Sequence, residues 1–305
     1  MDVLSDRADT TPDRAEGAPL VRKAFRRKHW RLLAFLRDRA AVAAAILLFA
    51  VVSSAILAPW IGIHDPYEAN NLLRFASPGT TGHLLGTDQQ GRDMVARLLW
   101  GGRVSLLVGV VPTVCASIIG LGLGMLAGYG RGLVDQVVMR VLDVLFAFPM
   151  VLLAIAVAGT LTPGVGTEVI SITVVLIPYV GRLARTATLG VVTMPYIEAA
   201  RAAGGSAAAI LTRYVLPNVF SPVVVYATTL MGLMIVVGSG LSFLGLGVQP
   251  PVADWGAMVA DGRVVLRRAP HVTIEPGILI MVVSLAFNFL GDGLRDALDP
   301  RTGRR

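Results

Sequence analysis

The sequence has 305 residues, of which 54% are apolar and 15% charged, with a mean hydropathy of +0.68 and a net charge of +7. A chain this apolar is not an ordinary soluble domain, and its basic charge reads as membrane-flanking rather than as a nucleic-acid surface. The length fits one membrane domain, and the single cysteine, Cys115, excludes an intrachain disulfide.

Residues 1–20 are polar and read as a disordered tail. From Val21 to Arg39, basic residues (Arg22, Lys23, Arg26, Arg27, Lys28, Arg31) interleave with Phe25, Trp30, Leu32, Leu33, Phe35 and Leu36. Two readings stand side by side: a helix lying in the plane of an anionic membrane surface, or a plain basic flank. Six apolar stretches follow, each near the ~20 residues that a bilayer core requires. They are Ala41–Ile61, Val104–Ala127, Val137–Ala158, Val169–Leu189, Val219–Val237 and Ile274–Leu290.

An even number of spans puts both termini on one side. Arg131, Arg140, Arg182, Arg185, Arg201, Arg213 and the terminal Arg295, Arg301, Arg304 and Arg305 then share that side with the basic tail. Arg74, Arg92, Arg97, Arg103, Arg263, Arg267 and Arg268 fall opposite. The more basic side is expected to be cytoplasmic. In the fourth stretch Arg182 and Arg185 either snorkel to that surface, the favoured reading, or face a watery interior.

Some polar residues near the spans have structural readings. Gly120, Gly124 and Gly128 recur on one helix face and predict a close helix–helix seam. Asp143 is placed in a first helical turn, with Arg140 as its partner, or alternatively at a gate. Glu168 and Glu275 are expected at ordinary helix starts, and Asn288 to bond to a neighbouring helix. The breaker-rich stretch Gly238 to Pro251 is expected to leave the helix and fold back over an outer mouth, or to pack as an apolar loop.

Several chemistries are excluded. Lys23 and Lys28, the only two lysines, do not follow glycine, so no phosphate-binding Gly-Lys-Ser/Thr loop is present. The four histidines, His29, His64, His83 and His271, are scattered and read as isolated surface residues, so no metal site is expected. Ser242 lacks the second glycine of a nucleophile elbow, since Leu244 stands there. No catalytic residue is assigned. An ion-coupled transporter would need intramembrane ionisable pairs, and an intramembrane enzyme a convergent nucleophile and base; neither pattern is visible.

The unusual segment is the polar insert from Pro195 to Ala209. Pro195 suits a first turn and the alanines favour helix, while Gly204 and Gly205 provide a bend. Small Ala199, Ala200 and Ala203 offer a smooth face for a partner's groove, with Glu198 and Arg201 fixing register through charge-assisted bonds. Leu216-Pro217 reads as the return to the membrane.

This segment resembles the cytoplasmic loop of permease subunits of ATP-binding-cassette importers. The family's loop has Glu-Ala-Ala, three residues, Gly, nine residues, an apolar residue, one residue, then Leu-Pro. Glu198-Ala199-Ala200, Gly204 and Leu216-Pro217 match in place, and Tyr214 stands where isoleucine is common. The block His83-Leu84-Leu85-Gly86-Thr87-Asp88-Gln89-Gln90-Gly91-Arg92-Asp93 resembles the C-type subunit of the dipeptide/oligopeptide/nickel group. So do Leu241 to Gly247, Trp255-Gly256 and Asn288 to Pro300.

The resemblance implies an all-α polytopic protein of the type I importer permease fold, with about six spans and a cytoplasmic coupling helix near 195–210. It implies a division into a tail (1–39), a first span with outer loop (40–103), a core permease domain (104–292) and a cytoplasmic C-terminal tail (293–305). The coupling residues would be Glu198, Ala199, Ala200, Arg201, Ala203, Gly204, Leu216 and Pro217. Candidate gate or pathway residues are Asp143, Pro149, Ser242, Phe243 and Leu244. Implied partners are a homologous B-type permease, two cytoplasmic ATPases that bind ATP and Mg²⁺, and an extracytoplasmic peptide-binding protein. The chain itself would hold no cofactor and bind no nucleic acid. The implied substrate is a di- or oligopeptide, with nickel or another small solute as the alternative.

Overall fold

The computed structural model describes residues 35–36, 38–61 and 64–298. The tail, most of the basic stretch from Val21 to Arg39, and Arg301, Arg304 and Arg305 lie outside the described residues. The described chain is all α-helical apart from two isolated bridges in a loop, Thr80 with His83 and Thr87 with Asp93.

The helices are α1 (Arg39–Ile61), α2 (Met94–Gly130), α3 (Gly132–Phe146), α4 (Met150–Ala158), α5 (Val165–Val192), α6 (Pro195–Ala202), α7 (Ala207–Ile210), α8 (Leu216–Phe243), α9 (Trp255–Gly262) and α10 (His271–Leu298). Five helical runs are long and apolar enough to cross a membrane: α1, α2, α5, the run Ala207–Phe243 and α10. The pair α3 and α4 makes a sixth only if taken as one broken span.

That pair corrects the third expected span. Val137–Ala158 is not one helix, because the chain turns by 88° between α3 and α4. Pro149 has no N–H to donate and disfavours helical backbone at Phe148, so the helix stops at Phe146 and restarts after the proline. The bend also moves Asp143. It lies in the last turn of α3, not the first. A carboxylate there faces the negative end of the helix dipole. Its partner is Arg182 on α5, at 2.6 Å, rather than Arg140.

Two other expected boundaries shift. Gly238 to Phe243 stay helical, so the outer loop begins only at Leu244, with Gly245 in left-handed backbone (φ +79°). Gly238 is required there because α2 needs the space. A Cβ on Gly238 would meet Val108 Cγ1 at 2.4 Å. Leu216-Pro217 does not begin a helix, since the helical run is continuous from Ala207. Pro217 cannot donate to the carbonyl one turn back, and the preceding residues Leu211–Val215 widen into a π-turn. The Leu216 amide then bonds to the Leu211 carbonyl.

The core is the seam between α2 and α5. Cβ atoms added at Gly120 and Gly124 would sit 2.9 Å from Gly181 N and 2.4 Å from Gly181 O. One on Gly128 would lie 2.8 Å from Thr188. Because lipid is as apolar as a leucine side chain, such backbone proximity, rather than water expulsion, holds membrane helices together. Around this seam pack buried Ile172, Leu176, Val180, Met234 and Leu241. α8 and α10 are joined by Ser284 Oγ donating to Gly232 O at 2.6 Å. Asn288, expected to bridge helices, donates instead to Ser284 O within α10. Helix α1 packs at the edge, where Gly293 of α10 accommodates Ala41, and turns Ile46, Phe49, Ile56 and Trp60 outward.

Candidate coupling and gating sites

The insert folds as a short helix, α6, closed by a C-terminal glycine cap. Gly205 N donates to Ala200 O and Gly204 N to Arg201 O, both at 3.0 Å. This reciprocal pattern satisfies the last carbonyls and requires left-handed backbone at the first residue past the cap. Gly204 supplies it, with φ +78°. The second glycine is needed for proximity, since a Cβ on Gly205 would lie 2.8 Å from Ala200 O.

One residue holds α6 against the bundle. Ile197 is fully buried and joins the core with Val192, Ile210, Val215 and Val219. Ala200 packs beside it, which corrects the expectation that it belongs to a free docking face. Glu198, Ala199, Arg201, Ala203 and Gly204 are exposed. Arg201 also reaches the end of α2, its guanidinium carbon 5.3 Å from the Tyr129 ring centre. Behind the helix, Tyr196 and Tyr214 pack at 6.5 Å, and Asn218 donates to Tyr214 O at 2.6 Å. Thus Tyr214 is a strut of the segment, and Leu216-Pro217 lies behind the exposed face.

The same end of the bundle carries two ion pairs between α3 and α5. Arg185 donates to both oxygens of Asp135, at 2.5 and 2.6 Å. Arg182 binds Asp143 and lies over the Phe146 ring at 3.8 Å. These arginines tie the bent helix to α5. Pro149 lies exposed at the bend itself.

The other end of α5 holds a buried carboxyl. Glu168 is 1% exposed, accepts a 2.7 Å bond from Ser242 Oγ, and leaves Oε2 without a partner. Glu168 stands in the first turn of α5, as expected, but buried against Ser242, which lies in α8 rather than in a fold-back loop. Ser242 and Phe243 also line a cavity of about 190 Å³ with Arg92, Arg97, Gln249 and Asp261. Arg97 is buried with Nη1 unsatisfied, and burial pushes the Asp261 carboxyl above its ordinary range. Leu244 is 55% exposed next to this cavity rim. The two groups of gate candidates are therefore not one cluster. Glu168 and Arg182 are 14 residues apart on α5, roughly 21 Å at helical rise.

Comparison with known proteins fixes the family. Residues 120–304 match the binding-protein-dependent transport system inner membrane component, and residues 25–78 match the N-terminal transmembrane domain of oligopeptide transport permease C. The chain belongs to the permease subunits of binding-protein-dependent ABC importers, C-type. It is 42% identical over 288 residues to a glutathione transport system permease protein of Pectobacterium atrosepticum, covering 93% of this chain and 95% of that one. It is 41% identical over 266 residues to a putative peptide transport system permease protein of Brucella abortus, covering 87% and 89%. The inward-facing MetNI methionine transporter shares the fold: TM-score 0.56 at 19% identity, over 68% of this chain and 98% of that one.

In this permease the residues missed by sequence reasoning are those that hold the exposed ones. Ile197 lies inside the polar insert, just before the Glu-Ala-Ala motif, and carried no separate signal. Asp135 was passed over entirely, although its distance of 50 residues from Arg185 leaves no local pattern to read. For the Glu168–Ser242 pair, Ser242→Ala removes the carboxyl's one hydrogen bond. We expect a loss of about 1–3 kcal/mol, read as a lowered melting temperature of the purified permease complex. A melting temperature equal to wild type would show that water replaces the hydroxyl without cost.

Proposed function

We propose that this permease forms half of the translocation path of an ATP-driven importer of short peptides, with its termini and α6 on the cytoplasmic side. A homologous B-type permease completes the path, an extracytoplasmic binding protein delivers the solute, and two ATPases bind ATP and Mg²⁺ beneath α6. The observation that carries this reading is α6 itself, a short helix held by buried Ile197 that presents Glu198, Ala199, Arg201 and Ala203 outward. A bundle gains nothing from such an insert unless another protein seats on it.

ATP-driven closure of the ATPase pair moves α6, and α6 is tied to the bundle at two points. Ile197 transmits motion to α5 and α8, and Arg201 to the end of α2. The bundle then exchanges between two packings, biased by the partner's differential affinity for them. Gating residues at either end follow: Asp143 with Arg182 and Pro149 near α6, and Ser242, Phe243 and Leu244 at the far end.

The peptide assignment draws on the relatives, one named for glutathione and another for peptides. The test is to purify the binding protein encoded with this permease and identify its bound solute by mass spectrometry. Recovery of peptides or glutathione, followed by ATP-dependent uptake of the same compound into vesicles carrying the complex, is the expected result. A nickel chelate or a non-peptide solute in its place would overturn the substrate assignment and leave the permease reading intact.

A further inference from the structure

At the end opposite α6, three residues of the segment joining α1 to α2 meet. His64 follows α1, His83 lies in the connecting loop and Asp93 begins α2. The two imidazoles face each other with ring centres 4.9 Å apart and planes 30° from parallel. Asp93 Oδ2 stands 2.8 Å from His83 Nδ1 and 3.9 Å from His64 Nδ1. One ligand atom from each residue lies within 4.8 Å of the others. The histidines that looked scattered are thus partly gathered, and His271 is not among them: it bonds to Thr87 O at 3.1 Å.

We propose that His64, His83 and Asp93 form a binding site for a divalent first-row transition metal ion, Zn²⁺ being the ion that fits its ligands. Two imidazoles and one carboxylate are a borderline donor set suited to Zn²⁺, whereas Ca²⁺ and Mg²⁺ favour oxygen-rich shells. Ligands about 2.0–2.2 Å from a tetrahedral zinc stand roughly 3.3–3.5 Å from one another. The observed 2.8 and 3.9 Å bracket that spacing, so small side-chain movements suffice.

Asp93 is prepared for this role. Its Oδ1 caps α2 by accepting from Ala96 N at 2.8 Å, which fixes the carboxylate and leaves Oδ2 to point at the histidines. A second observation also points to a cation. Glu275, near the start of α10, has a solvent-shielded Oε2 without a hydrogen-bond partner and lies within electrostatic reach of Asp93. The Asp93 carboxylate set between two imidazoles makes a place where a cation is stabilised. A bound ion would clamp the segment after α1 to the start of α2 and so steady the loop surface at this end. Nothing in this inference depends on which solute is carried.

The test uses the assembled transporter, purified on a tag free of histidine, loaded with ZnCl₂ and passed through gel filtration. Metal is then counted by mass spectrometry, and Co²⁺ is substituted to read coordination from its visible absorption. The expected result is about one Zn²⁺ per permease chain and a tetrahedral Co²⁺ spectrum. His64→Ala should weaken binding roughly tenfold or more and remove that spectrum. His64 has a side chain 38% exposed, so its loss leaves the packing intact, which the melting temperature of the variant checks. No retained metal in wild type, or equal binding by His64→Ala, would overturn the site.

Discussion

Glu198→Lys is expected to reduce solute uptake to near background while the permease stays inserted at wild-type levels and the complex still hydrolyses ATP. The expectation follows from where the residue stands. Glu198 is exposed in the first turn of α6, at the positive end of the helix dipole, and touches nothing in the core. Reversing its charge costs the isolated permease only about 0.3–1 kcal/mol. Against a partner surface that has closed around a carboxylate the cost is larger. An unpaired charge at a desolvated interface is worth roughly 2–5 kcal/mol, or about 30- to 5,000-fold in affinity.

Gly204→Val tests the same segment through its backbone. The φ of +78° at Gly204 is poorly accessible to a β-branched residue, so the cap opens and α6 loses its defined end. No neighbouring atom lies within 4 Å of a Cβ at this position, so the damage stays local. Uptake should fall with insertion preserved, as for Glu198→Lys. The two variants reach one phenotype by different physics, charge in one and backbone in the other. The readouts are vesicle uptake, ATPase rate and the amount of each subunit in the purified complex. Normal uptake by both would remove α6 from the coupling role.

How far the sequence could be read follows from the range of each signal. Long apolar runs are local, and five of the expected spans lie within observed helices or helical runs. The family motifs are local too, and family models match over residues 25–78 and 120–304. The errors share another cause: they depend on contacts between distant residues. The partners of Arg182 and Arg185 were hidden because Asp143 and Asp135 are 39 and 50 positions away. Glu168 is the first-turn acid expected, but its burial against Ser242 was hidden because Ser242 is 74 positions away. The gathering of His64, His83 and Asp93 depends on how the connection between α1 and α2 folds, which no motif spacing announces. Gly238 looked like a helix breaker, yet it sits where Val108 packs against the helix, and only that neighbour reveals why glycine is there. Pro149 was the opposite case. Its effect is local and was legible, but the apolar run around it concealed an 88° turn.

The largest effect on assembly is expected at the α2–α5 seam, from Gly124→Leu. A Cβ at Gly124 would lie 2.4 Å from Gly181 O, 2.6 Å from Ala184 Cβ and 2.7 Å from Arg185 N. Two of these three atoms are backbone, so no rotamer change relieves the clash and the helices must separate. Overpacking a close interior typically costs 1–3 kcal/mol, about 5- to 150-fold in the folded population, and more where backbone must move. Separation also reaches the functional end of α5. Arg185 sits one residue beyond Ala184, and its bidentate bonds to Asp135 require the present spacing. The variant should therefore appear at reduced levels in the membrane, and the fraction that assembles should melt at lower temperature. Gly122→Leu is the matched control, because no atom lies within 4 Å of a Cβ there. It is expected to insert, assemble and transport close to wild type. If Gly122→Leu lowered membrane levels as much as Gly124→Leu, bulk in α2 rather than contact with α5 would be responsible. Wild-type levels and stability of Gly124→Leu would show that α2 and α5 are not held by this seam.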